Sequence, residues 1–349
     1  MIVIESLEST TIFLATLTQE RLISLMLSKN EWDPLKSVVV GIADDAKIPP
    51  STFGLRTVNY ADLTFSEYLA VKHGLYPKQV IDEANEDLET LCAFLRSESV
   101  NVVRPNSNDP EYYNYCPRDT VLVHDDIILA APVALTSRRD EWEASKQHFD
   151  LDKLIVGPRP EHNDIYNSAC IGNPDILALH EQVPIFDAAN ILRCNDDLFY
   201  LVSNTGNKKG AEYLQEVVGP NKRVHTIENV YSYIHLDSTI ALLREGLMLL
   251  NPARIKSVEQ LPEVLRNWDV IWAPEPVDIG HYPGYCNASK WVSINLLSIN
   301  PNLVVLEEHQ HNLRVELEKH GIESAMLPAR HARTLGGCFH CVTLDLVRG

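Results

Sequence analysis

The chain contains no run of about 18 uninterrupted apolar residues, so no membrane-spanning helix is expected. Its fairly apolar start, Met1–Leu27, is broken by Glu5, Glu8, Glu20 and Arg21 and follows no basic region, unlike a secretory leader. Basic charge is scarce. Lys and Arg number 30 against 48 Asp and Glu, and the formal net charge of -18 repels a phosphate backbone and an anionic bilayer alike. Neither nucleic acid nor a membrane is an expected partner. No G-x-G-x-x-G follows an expected strand, and Gly206–Gly210 lacks the ending of a phosphate loop, so no nucleotide cofactor is indicated. The single C-x-x-C, Cys338 to Cys341, has no second copy to complete a zinc site, and no metal is expected. The 7 cysteines are odd in number and scattered, which excludes a disulfide scaffold and fits a reducing, cytoplasmic setting.

What is present is ordinary globular composition, 45% hydrophobic and 22% charged over 349 residues. Length alone suggests about two domains, but a longer period argues for one. An amphipathic helix, a short strand, a loop and a tight hairpin recur. The first helix carries Ile81, Ala84, Leu88, Leu91 and Leu95 on one face. Later helices are expected at 140–149, 211–218, 258–268 and 313–320, each followed by a strand, with hairpins at 120–131, 191–202, 239–250 and 294–306. The last unit lacks one strand, and Ser37–Ile42 is a strand without a unit. Joining the two closes a ring that leaves few sheet edges.

In every unit the loop before the hairpin ends at the same structural point, so these loops should open on one end of the ring. They carry Asp119, Asp187, His235, Asp237, Ser289 and Cys341. An Asp before a strand is ordinarily a turn or cap residue, and a cysteine beside a histidine is ordinarily a buried thiol. Together they suggest a thiolate assisted by an imidazole, attacking a cationic carbon held between carboxylates. A planar, permanently charged guanidinium fits. Cys341 would be the nucleophile, His235 the acid and base, and Asp187 the residue orienting His235.

From about Asn30 onward the chain resembles the arginine amidinotransferases. The matching stretches are 30–35, Pro117-Arg-Asp119, Phe186-Asp-Ala-Ala-Asn190, His235-Leu-Asp-Ser-Thr239, Asn251-Pro-Ala-Arg254, Ser289-Lys-Trp291 and 334–343. It looks closest to members of bacterial secondary metabolism, including the saxitoxin-pathway amidinotransferases of cyanobacteria. The resemblance implies an α/β fold, a five-module pseudo-symmetric α/β propeller of the guanidino-modifying superfamily, over residues 30–349, with 1–29 as an unplaced tail. It implies a Cys341–His235–Asp187 triad, guanidinium contacts from Asp119 and Asp237, carboxylate binding by Arg254 and a pocket wall at Ser289. Arginine would pass its amidino group to Cys341, release ornithine, and an amine acceptor would take the group. No cofactor is implied, and family members are typically homodimers. Departures are Asn190, Ala288 and Cys338; the first two remove polar groups expected near the pocket, and the third sets a thiol three residues from the nucleophile. The rival reading is a hydrolase of the same superfamily, an arginine deiminase or dihydrolase, in which water replaces the amine; a catalytically dead arginine-sensing module is another.

Overall fold

Short apolar runs separated by a residue that tolerates positive φ fold back on themselves, and the chain does so repeatedly. The local hairpins are Val121–His124 with Ile127–Ala130, Ile191–Cys194 with Asp197–Leu201, Ile240–Arg244 with Leu247–Leu250, and Leu297–Asn300 with Leu303–Glu307. Asp125, Asn195 and Gly246 take φ of 52°, 59° and 79° at the first three turns, a region open to Asp, Asn and Gly. At the fourth, the Asn300 side chain accepts the Asn302 N–H at 2.9 Å, an Asx turn. The computed structural model describes residues 27–106, 113–160, 163–230 and 234–349, so residues 1–26 of the expected tail lie outside the described residues.

Each hairpin gains a third, parallel strand: Leu154–Val156, Arg223–Ile227, Asp269–Trp272 and Glu323–Leu327 in turn. A fifth sheet is assembled from distant segments. In it Leu35–Val40 runs antiparallel to Thr343–Arg348 and parallel to Asn101–Val103. The third strand of every sheet therefore belongs to the repeat that follows it, which ties neighbouring repeats together.

The helix Lys78–Ser97 buries Val80, Ala84, Leu88, Leu91 and Leu95, the face expected from its spacing. Lys208–Val218 is capped by Asn207, whose side chain accepts the Gly210 N–H, and ends at Gly219 with φ 79°. His311–Lys319 is also helical. Two expected helices are not. Residues 258–268 form separate 3-10 turns, Val258–Gln260 and Glu263–Leu265, because Pro262 between them has no N–H to carry a helix through. Glu141–His148 is 3-10 as well; Glu141 turns inward to accept from Arg138 and the Tyr113 N–H instead of facing water.

The apolar faces pack sheet on sheet in chain order. Val39, Val121, Ile128 and Leu344 join the fifth sheet to the first hairpin. Leu122, Leu129, Leu198 and Tyr200 join the first to the second, Leu192, Phe199, Leu242 and Leu250 the second to the third, and Leu243, Ile271, Val304 and Leu306 the third to the fourth. Val38, Val40, Leu297 and Val305 bring the fourth back against the sheet of Leu35–Val40. Beneath the loops lies a buried ion cluster. Arg193 Nη2 sits 2.6 Å from both Glu31 Oε2 and Asp345 Oδ2, and Asp345 also takes Arg118 and Arg348 at 2.7 Å each. Such a set is costly to desolvate, but removing one member strands the others and costs about 3–5 kcal/mol.

Candidate active site

All the expected site residues but Arg254, which follows the strand Leu247–Leu250, lie at one kind of place, the entry to a hairpin or to the closing strand. Asp119 ends the 3-10 turn Pro117–Asp119 before Val121–His124. Asp187 immediately precedes the turn Ala188–Asn190 before Ile191–Cys194. His235 and Asp237 precede Ile240–Arg244, Ser289 caps Lys290–Ile294 before Leu297–Asn300, and Cys341 precedes Thr343–Arg348. The approach to Cys341 depends on two glycines. Gly336 takes φ 89° at a helix end, and a Cβ on Gly337 would lie 2.6 Å from Cys116 Sγ and 2.9 Å from Cys341 Cβ.

Asp187 holds His235 from behind. Its Oδ2 is 3.1 Å from His235 Nε2, while its Oδ1 accepts the Ala134 N–H at 3.1 Å. The other imidazole nitrogen, Nδ1, faces Asp119 Oδ1 at 3.7 Å. Asp119 is itself gripped: Arg138 Nη1 donates to its Oδ2 at 2.7 Å, and Arg138 is in turn braced by Glu141 Oε2 at 2.8 Å. Oδ1 of Asp119 is buried and has no hydrogen-bond partner among the described residues. Cys341 Sγ donates to Asp237 Oδ2 at 3.2 Å, and its N–H donates to Asn295 Oδ1 at 3.0 Å.

These contacts set the electrostatics. Burial alone would push the His235 imidazole down, but Asp119, Asp187 and a hydrogen bond with Cys341 hold its pKa well above the usual value. Asp237 is buried too, which favours its neutral form, yet His340 and His235 hold its carboxyl well below the ordinary range. The hydrogen bond with Cys116, burial and Asp237 push the Cys341 thiol well up, with His235 opposing. The site thus keeps the Cys341 thiol protonated beside the Asp119 and Asp237 carboxylates.

A cavity of about 540 Å³ opens over this group, lined by His235, Asp237, Arg254, Ser289, Asn287 and Cys341 among others. Arg254 Nη1 donates to Ser238 Oγ at 2.9 Å and Thr239 Oγ1 at 2.7 Å, which anchors the guanidinium at the rim. A second chamber of about 130 Å³ lies on the far side of His235, against Asp119, Arg138, Glu141 and Tyr76. Asp187 lines neither. No group of three or more His, Cys, Asp or Glu arranged to hold a metal ion occurs among the described residues, and none of their helices is long and apolar enough to cross a membrane.

No family model matches the chain. It is 39% identical over 342 residues to inosamine-phosphate amidinotransferase 1 of Streptomyces griseus, covering 93% of this chain and 97% of that protein. The chain belongs to the amidinotransferase family. It is also 30% identical over 354 residues to the L-arginine:L-lysine amidinotransferase of Pseudomonas savastanoi pv. phaseolicola, covering 93% of this chain and 95% of that one. Among solved structures it matches SxtG, an amidinotransferase from Microseira wollei in the saxitoxin biosynthetic pathway, with TM-score 0.82 and 28% identity over 93% of this chain and 97% of that one. This amidinotransferase is accordingly a transferase with an α/β fold.

Three features of the amidinotransferase site escape sequence reasoning. Arg138 and Glu141 carry no motif and belong to none of the expected loops, yet they form an ion pair buried behind Asp119. Cys116 precedes Pro117-Arg-Asp119 with nothing local to mark it, yet its thiol lies close enough to that of Cys341 to push the latter's pKa up. His340, beside Cys341 in sequence, bonds Asp237 and Glu31. Asn190 needs correction in the opposite sense. It is fully buried, bonds Ser203 and Thr205 at 3.2 Å each, and lines neither cavity, so it holds the loop of Asp187 and says nothing about the acceptor.

Proposed function

We propose that this amidinotransferase moves the amidino group of L-arginine through a covalent amidino-cysteine on Cys341 to an amine acceptor, releasing ornithine, in the biosynthesis of a secondary metabolite of the saxitoxin type. The observation that carries the reading is the buried Oδ1 of Asp119, 3.7 Å from His235 Nδ1 and without a hydrogen-bond partner among the described residues, with ionised Asp237 against the Cys341 thiol. Two carboxylates around a thiol leave a place for a planar cation and for little else. Its arrival offsets the negative field of Asp237 that keeps the thiol protonated, so the donor itself readies the nucleophile. Cys341 passes its proton to the neutral form of His235 as Sγ bonds to the guanidinium carbon, and His235 hands that proton to the departing nitrogen, which leaves as the neutral amine of ornithine. In the second half-reaction His235 takes a proton from the acceptor amine as the new C–N bond forms, and returns it to the Cys341 sulfur as the C–S bond breaks. Arg254 at the rim binds the donor's carboxylate and Ser289 lines its path.

The same reading takes residues 30–349 as one five-module propeller. It is supported by five three-stranded sheets, each packed on the next, and by the pairing of the first strand with the last.

The test is intact mass after arginine alone and rapid acid quench. A gain of about 42 Da on wild type, absent in Cys341→Ala, with ornithine in the supernatant, is the expected result. Citrulline and ammonia with no amine-dependent ornithine release would replace transfer with hydrolysis, and arginine binding without any adduct would make the protein a sensor.

A further inference from the structure

The catalytic loops sit on a block of buried charge, and one side chain connects the two. His340 Nδ1 lies 2.9 Å from Asp237 Oδ2, the same oxygen that accepts the Cys341 thiol at 3.2 Å. Its Nε2 lies 3.3 Å from Glu31 Oε2. Glu31 is fixed in turn: Arg193 Nε reaches its Oε1 at 2.8 Å and Nη2 its Oε2 at 2.6 Å, with Arg118 Nη1 3.7 Å from that oxygen. The imidazole is 7% exposed and touches carboxylate at both ends, so keeping both contacts takes a proton on each nitrogen. The backbone adds to the fit. Asn295 accepts from the His340 N–H with its carbonyl at 3.3 Å and from the Cys341 N–H with its side chain at 3.0 Å, while its amide donates to the Asp237 carbonyl at 3.2 Å.

We infer that His340 is a positioning residue for amidino transfer: pinned between Glu31 and Asp237, it fixes the Asp237 carboxylate against both the Cys341 thiol and the incoming guanidinium. The inference rests on the function proposed above for its substrate, but not for its geometry. A buried carboxylate with only a thiol for company would rotate or take up a proton. His340 prevents both, through a hydrogen bond on Oδ2 and a positive charge held from the other side by Glu31. The groups facing Asp237 are His340, His235 and the Cys341 thiol, with Glu31, Arg193, Arg118 and Asp345 behind His340. No other cation is bonded to the Asp237 carboxylate among the described residues, so His340 cannot be replaced by a neighbour.

The test uses the full chain with His340→Leu, His340→Asn and Glu31→Gln. The first readout needs no substrate: the pH dependence of Cys341 alkylation by iodoacetamide. With His340→Leu the field of Asp237 is no longer offset, and the midpoint should move to higher pH by about half a unit to one unit. Glu31→Gln, which keeps the imidazole but loosens its anchor, should move it less in the same direction. The second readout is arginine-dependent ornithine release. His340→Leu should raise KM about tenfold or more and carry the acid limb of kcat/KM to higher pH by about a unit, as Asp237 regains the high pKa that burial favours. His340→Asn restores a donor to Oδ2 without the charge, so it should recover KM in part while leaving the acid limb displaced. Equal losses of kcat and kcat/KM with unmoved pH profiles would mean a merely structural role and overturn the inference. If His340→Leu does not fold, an unmoved alkylation midpoint in both Glu31→Gln and His340→Asn overturns it equally. Failure of wild type to form the adduct would sink the transferase reading and leave the alkylation result standing on its own.

Discussion

Replacing Asp187 by Asn should disable His235 while leaving arginine binding almost intact. The native carboxylate accepts on both oxygens, from the Ala134 N–H at 3.1 Å and from His235 Nε2 at 3.1 Å. An amide has one oxygen to offer, and the Ala134 N–H can only donate, so the oxygen stays there and the new NH2 faces Nε2. That reverses the imidazole. Nε2 becomes an acceptor, the neutral ring carries its proton on Nδ1, and the nitrogen facing Asp119 can no longer take a proton from thiol or amine. The charge-assisted bond alone is worth about 1.5–3 kcal/mol, or roughly 10–150-fold in rate. Adding the wrong tautomer, kcat should fall about 100-fold at least and up to about 10,000-fold. Since Asp187 lines neither cavity, the arginine Kd should change less than about threefold. Rapid-quench measurement of the ornithine burst, with equilibrium binding on a Cys341→Ala background, gives the two numbers. A burst rate within a few-fold of wild type, or a Kd that weakens as much as kcat falls, would refute the tautomer argument.

Other perturbations read different parts of the site. Gly337→Ala puts a methyl 2.6 Å from Cys116 Sγ and 2.9 Å from Cys341 Cβ; the urea midpoint should report about 1–3 kcal/mol of lost stability, partly recovered by Cys116→Ala in the same chain. No recovery would place the strain elsewhere. Arg254→Ala should raise KM for arginine about 10–100-fold yet leave agmatine, which lacks the carboxylate, as good or poor a donor as before. Equal effects on both donors would remove Arg254 from carboxylate binding. His235 binds its proton more tightly folded than unfolded, so the stability it contributes is complete below its unfolded pKa of about 6.5 and is lost as pH rises through its raised folded value. The Tm advantage of wild type over His235→Gln should therefore be largest near pH 6 and shrink toward alkaline pH; a gap that widens would contradict the sign.

How much could be read in advance follows from the range of the interactions involved. Hairpins were legible because Asp125, Asn195 and Gly246 sit where a tight turn needs positive φ, a property of single residues. The helix Lys78–Ser97 was legible from its stripe, whereas 258–268 kept the stripe but lost the helix to one proline. The hairpin-entry loops showed Asp119, Asp187, His235, Asp237 and Cys341, since each recurs at the same point of a repeat. What supports them did not show. Arg138 holds Asp119 from 19 positions away, Glu31 meets His340 from 309 away, and Cys116 meets Cys341 only because Gly337 makes room. Contacts at such separation leave no period or spacing behind them, and a buried arginine is written in the same letter as a solvated one.

The pairing of Leu35–Val40 with Thr343–Arg348 also bears on how the protein is made. Roughly 300 residues separate the two strands, and at about 5–20 residues per second the first must wait about 15–60 s on the ribosome for its partner. Val38, Val39 and Val40, fully buried in the finished protein, spend that interval on an open sheet edge. Cys341 emerges just before the closing strand, so the candidate site and this strand pairing are completed in the same step. A holdase that shields the early strand would therefore raise the yield of active enzyme without touching any residue that performs the reaction.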